Sequence, residues 1–183
     1  MTVPRAEVWA VVSTMAGVNA ELAPYVRMTH PRHLQSLDDH PVPMGEVAFH
    51  SWLLAGRVLP FDRHALCLEA VIDGEGFDEE STSWMQRRWR HERRLVDEGD
   101  GTCTVTDHLV VEPRLGVLRP LAARVVRFLF EHRHRRLVQR FGATRGGASA
   151  VVPGACCPPR GSTAGRGGTP GGAWPGRRRG GQR

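Results

Sequence analysis

The spacing of apolar and polar positions changes along the chain, and each change predicts a new element. From Pro4 to about Met15, Val8, Val12 and Met15 recur at helical spacing with Trp9 beside them. A helix is predicted there, with Thr2 as its cap, proline in its first turn and Glu7 near its N-terminal end. Gly17 is expected to end it, and Val18–Ala23, before Pro24, to make one further helical turn. From Tyr25 the pattern becomes extended. Tyr25–Thr29 leads into a loop rich in Pro, His and Asp from Pro31 to Gly45, then into a strand from Glu46 to about Leu59, where Gly56 suggests a bulge or a close backbone approach. Arg63–Ile72 reads as the next strand, closed by Asp73-Gly74-Glu75-Gly76, and Phe77–Val96 as one long strand. Thr102–Glu112 is its return partner across the turn Asp97–Gly101. Consecutive strands with tight turns predict an antiparallel meander. After Pro113 the period becomes helical from near Val117 to Phe141, with Pro120 tolerated in the first turn. Leu118, Leu121, Val125, Phe128, Leu129, His132 and Leu137 form the inward face, Arg124, Arg127, Arg135 and Arg140 the wet one, and Gly142 the C-terminal cap.

The segment Trp84–Glu112 is the most informative, because alternate strand residues share a face and the turn limits the register. If paired positions sum to 200, Leu95 meets Val105, Arg93 meets Asp107, His91 meets Leu109 and Trp89 meets Val111. The opposite face then pairs Arg94 with Thr106, Glu92 with His108 and Arg88 with Glu112. A sum of 199 would set Glu92 against Asp107 and His91 against His108, and like charges directly opposite are unfavourable. The first register is therefore expected, and it sends His91, Arg93 and Asp107 into the apolar interior with Trp89. An ion there needs a partner. Two roles follow: Arg93–Asp107 is a structural ion pair, or the pair and His91 line a cavity and orient a polar group of a ligand.

Composition changes the picture in one respect. The formal charge of the 183 residues is +6, yet 143–183 holds seven arginines and no acid, which leaves 1–142 with 18 basic against 19 acidic residues. The basic surplus belongs to a Gly/Pro/Arg-rich tail, and its composition predicts disorder. No specific nucleic-acid partner is expected. Trp174 is the tail's one aromatic stacking platform, so its Arg/Gly runs fit a solvated segment better than an RNA-binding one. All basic residues are arginine, as GC-rich coding favours. The cysteines Cys67, Cys103, Cys156 and Cys157 form no C-x-x-C spacing, so neither a disulfide scaffold nor a zinc site is expected. His30-x-x-His33 and His132-x-His134 lack a third ligand at a persuasive spacing, and no phosphate loop, cofactor fingerprint or Ser-His-Asp order appears. No metal and no cofactor are expected. With no signal peptide and no apolar run of membrane length, a cytoplasmic location is the expectation. Nothing in the pattern sets an oligomeric state.

The order helix, short helix, antiparallel meander, long C-terminal helix resembles the START-like (SRPBCC, polyketide cyclase/dehydrase-like) superfamily, and more narrowly actinobacterial SRPBCC-type proteins of unassigned function. The residues that carry the likeness are Gly17–Pro24, Leu59–Arg63, Trp89–Arg93, Thr106-Asp107, Arg133–Leu137 and Phe141-Gly142. The resemblance spans 1–142 and implies an α+β helix-grip fold, in which a curved antiparallel sheet wraps a long C-terminal helix and leaves a cavity between them. Such domains usually open with a strand. Here the helix starts almost at Met1, so either the start lies upstream or the sheet lacks its first strand and has an unpaired edge. The implied function is binding of a small hydrophobic or aromatic molecule, with Trp89, His91, Arg93, Asp107, Leu109, Val125, Phe128 and Leu129 as cavity candidates. The alternative is an aromatase/cyclase-type enzyme acting on a polyketide-like substrate, with His91 as general acid/base and Arg93 polarising a carbonyl.

Overall fold

A computed structural model describes residues 1–37, 42–143 and 151–153, and its architecture is α+β. Helices α1 (Arg5–Val12) and α2 (Met15–Leu22) come first. Strands β1 (Val26–Met28), β2 (Val47–Ala55), β3 (Leu59–Ile72), β4 (Gly76–Ser83), β5 (Gln86–Asp97) and β6 (Cys103–Pro113) follow, each antiparallel to its chain neighbour. This meander curls into a half-barrel. A 3-10 turn (Gly116–Leu118) then leads into the long helix α3 (Arg119–Phe141). The β5–β6 register sums to 200 from Arg88↔Glu112 to Asp97↔Cys103, the register that charge complementarity favours, and shifts by one only at Gln86↔Pro113.

Several local expectations give way to long-range contacts. Gly17 lies inside α2, because Thr14 caps that helix by accepting from the Gly17 N–H at 3.0 Å. A Cβ on Gly17 would lie 1.9 Å from the Val11 carbonyl oxygen, so glycine is what lets the two helices meet so closely. Thr2 does not cap α1; its hydroxyl donates to the Phe141 carbonyl at 2.5 Å and so serves the C-terminal end of α3, where Gly142 is the cap. The run from Glu46 to Leu59 breaks at a turn with positive φ at Gly56 and Arg57, closed by the Val58 N–H on the Ala55 carbonyl. Phe77–Val96 is not one strand. It folds back at Ser83–Gln86, and the turn is held from β3 by Asp62, which accepts from the Ser83 hydroxyl and the Met85 N–H.

No strand precedes α1 among the described residues. The β6 edge is nonetheless occupied at two places: Met1 exchanges two backbone hydrogen bonds with Cys103, and β7 (Val151–Pro153) runs parallel along Asp107–Leu109. That last strand falls within the stretch expected to be a disordered tail; the remainder of that tail, 144–150 and 154–183, lies outside the described residues.

The interior has two parts, stacked along α3. Its C-terminal half packs Leu137 and Phe141 on Val8, Trp9 and Val12 of α1 and on Leu95, Cys103 and Val105 of the sheet. Its N-terminal half leaves Leu121, Val125 and Phe128 exposed by 57, 47 and 43 %. These side chains do not reach the sheet but face a cavity. Gly76, at the start of β4, helps to fix the strand beneath it, since a Cβ there would lie 2.0 Å from the Arg93 carbonyl oxygen and its φ is +152°. Gly76→Ala is expected to cost about 1–3 kcal/mol, the scale of backbone strain with no room to relax. A thermal melt of that variant checks it, and an unchanged melting temperature would show that β5 can move aside.

Candidate functional site

The cavity lies between the curled sheet and the first half of α3 and has a volume of about 800 Å³. Its walls are mostly apolar and aromatic, and Tyr25, Phe61, Trp84, Met85 and Leu115, all partly exposed, mark its mouth. Tyr25 meets Phe128 edge-on with ring centroids 5.1 Å apart, and Trp52 meets Trp84 at 5.0 Å. Of the residues singled out from the sequence, Trp89, His91, Val125, Phe128 and Leu129 border this space. Arg93, Asp107 and Leu109 do not: they share the inward face of the hairpin but lie buried behind the lining.

Strand alternation explains the polar wall of the cavity. The inward positions of β3 are Asp62, His64, Leu66 and Leu68; those of β4 are Phe77, Glu79, Ser81 and Ser83. Pairing of β4 with β5 sets Glu79 directly opposite His91. His64 then donates from Nε2 to Glu79 Oε1 at 2.7 Å, while His91 Nδ1 lies 3.6 Å from Glu79 Oε2. His64, Glu79 and His91 are all buried and all line the cavity. Burial alone would raise the Glu79 carboxyl, but the hydrogen bond from His64 and the nearby imidazole of His91 prevail and hold it far below its ordinary value of 4.5. His64 and Glu79 did not emerge from the sequence, because the turn that sets β4 against β5 is fixed by Asp62 rather than by glycine or proline.

Behind this row is a buried ionic network, one member of which, Arg133, also lines the cavity. Arg93, fully buried on β5, donates from Nε and Nη2 to the two oxygens of Asp107 at 2.7 and 2.9 Å, and contacts Glu21 of α2 at 3.1 Å. Arg133 of α3 closes on Glu21 at 2.9 Å and lies over the Phe130 ring. Asp107 also accepts from His91 Nε2 and His134 Nε2, each at 2.8 Å. Burial works against ionising Asp107 and Glu21, but the guanidinium of Arg93 outweighs it for both, aided by His134 and His91 at Asp107 and by Arg133 at Glu21. Both carboxyls lie below their ordinary values, that of Asp107 well below. Arg93 is correspondingly raised, since Asp107 and Glu21 more than offset its own desolvation.

The arrangement therefore separates two jobs. Arg93 has its donors committed to two carboxylates and no route to the cavity, so it does not polarise a ligand carbonyl. His91 bridges the layers, with one ring nitrogen on Asp107 and the other facing Glu79. His132 and His134 are committed elsewhere, to the Ala23 carbonyl and to Asp107. No helix of the described residues is long and apolar enough to cross a membrane.

A family model described as Domain of unknown function (DUF8410) matches residues 1–141. No curated protein and no solved structure matches the chain.

Proposed function

The chain belongs to the family described as Domain of unknown function (DUF8410), and from the chemistry of its site we propose that it is a cytoplasmic, START-like protein that binds a small hydrophobic or aromatic molecule between the sheet and α3. The observation that carries this reading is the cavity of about 800 Å³ with its nearly continuous apolar lining. Apolar pockets of several hundred Å³ with a few convergent polar groups are the usual form of small-molecule sites. Leu121, Val125 and Phe128 support the reading: half-exposed apolar side chains on one helix face are unfavourable in water and favourable once a ligand covers them.

The neutral dye N-phenyl-1-naphthylamine tests it. Saturable, one-to-one fluorescence enhancement is expected, with energy transfer from Trp84 and Trp89 on the cavity wall. Ala122→Trp, which fills the cavity from α3, is expected to weaken binding by about tenfold or more, or about 1.4 kcal/mol. Absence of saturable enhancement in the parent protein would sink the reading.

An aromatase/cyclase-type reaction on a polyketide-like substrate is the second reading. The row His64–Glu79–His91 favours it, since imidazoles oriented by a carboxylate are suited to general acid/base chemistry. In that case the imidazoles act and Arg93 does not. Native mass spectrometry of copurified material separates the two readings: a ligand recovered unchanged after long incubation identifies a carrier, and its conversion identifies an enzyme.

A further inference from the structure

His64 and Glu79 have a use that a merely apolar pocket does not require. Glu79, ionised and buried, can only accept hydrogen bonds, so the Nε2 of His64, 2.7 Å from Glu79 Oε1, carries a proton and donates it. The other ring nitrogen, Nδ1, has no protein partner among the described residues. It is also not one of the buried side-chain atoms sealed off without a partner, while His64 itself lines the cavity. In the neutral ring with its proton on Nε2, Nδ1 presents a lone pair. A carboxylate behind the ring strengthens that acceptor and fixes its direction. Trp89 meets the His64 ring edge-on, with ring centroids 6.0 Å apart. His91 does not share the role, because both of its nitrogens face carboxylates.

Resting on the cavity reading above, we infer that the ligand is a ring-containing apolar molecule with a weakly acidic O–H, a phenol or an enol, which donates to His64 Nδ1. The hydroxyl replaces the water that would otherwise satisfy this nitrogen, and the Glu79–His64 pair selects for it. An analogue whose hydroxyl is capped by a methyl group brings the same apolar surface and leaves His64 unsatisfied.

Matched probes test this: 2-naphthol against 2-methoxynaphthalene, each displacing N-phenyl-1-naphthylamine from the full chain. The hydroxyl compound is expected to bind about tenfold more tightly, as for one hydrogen bond to a charge-backed acceptor. His64→Gln is the informative variant. Its amide nitrogen stands near the position of Nε2 and keeps a donor for Glu79, while the acceptor at Nδ1 is lost. The ratio of the two probes' affinities is expected to fall from about tenfold to about one. Equal binding of the two probes to the parent protein overturns the inference and leaves the cavity reading standing. A preference that survives in His64→Gln overturns it as well, since the hydroxyl then has another partner. Saturable dye binding that neither probe displaces overturns the inference and leaves the cavity reading standing, whereas absence of saturable dye binding overturns both.

Discussion

Arg93→Ala and Asp107→Ala are each expected to lower the stability of the fold by about 3–5 kcal/mol, the scale measured when one member of a buried ion pair is removed. The reason lies in what is left behind rather than in what is lost. Without Arg93, Glu21 and Asp107 remain buried with Arg133 and two histidines as their neutralising neighbours among the described residues. Without Asp107, Arg93 keeps only Glu21, and the donors of His91 and His134 lose their acceptor. These contacts join α2, β5, β6 and α3, so their loss loosens the attachment of both helices to the sheet. For a domain whose whole stability is about 5–15 kcal/mol, either change brings the protein close to unfolding at physiological temperature. Urea denaturation measures it. A midpoint unchanged in both variants would show that the network is not what holds the helices to the sheet.

The half of this network that lies within one hairpin was legible in the sequence, and the rest was not, for a physical reason. Arg93 and Asp107 face one another across a tight turn, and only one register avoids opposing like charges, so their pairing followed from local rules. Glu21 is 72 residues from Arg93 and Arg133 is 112 from Glu21. Nothing in the short helical segment Val18–Ala23 says which distant charge its glutamate will meet. The turn at Ser83–Gln86 shows the same limit. Its sequence, Ser-Trp-Met-Gln, holds no turn-forming glycine or proline, and it is imposed by Asp62 from another strand. Missing it merged β4 with β5 and hid the opposition of Glu79 and His91. The inward face of α3 was legible only in part: Phe130, Arg133 and His134, all buried, fall outside the predicted stripe, and periodicity does not distinguish a face that packs on a core from one that borders an empty space. Leu137 and Val125 lie on the same inward face. The first is buried on α1 and the sheet, and the second faces the cavity.

Acidification is expected to unfold the protein from this same region. Glu79, Glu21 and Asp107 all have folded values below their ordinary ones, 4.5 for the glutamates and 3.8 for the aspartate. A depressed carboxyl binds protons more readily in the unfolded chain than in the folded one, so its contribution is fully present above its ordinary value and is lost as pH falls below it. Stability should therefore be level down to about pH 5 and decline steeply below about pH 4.5. All three carboxyls are depressed, so their contributions are lost over the same range and in the same direction. Melting temperatures recorded between about pH 3 and pH 7 test the sign and the window. Glu79→Gln tests the assignment: its amide still accepts from His64, but with no proton to take up, the acid limb should become shallower by about one linked proton. An acid limb of unchanged slope in that variant would mean that Glu79 is not one of the groups that titrate. The ionised state of Glu79 is also what makes His64 Nε2 a donor, so the experiment that measures acid stability also measures a premise of the proposed ligand selection.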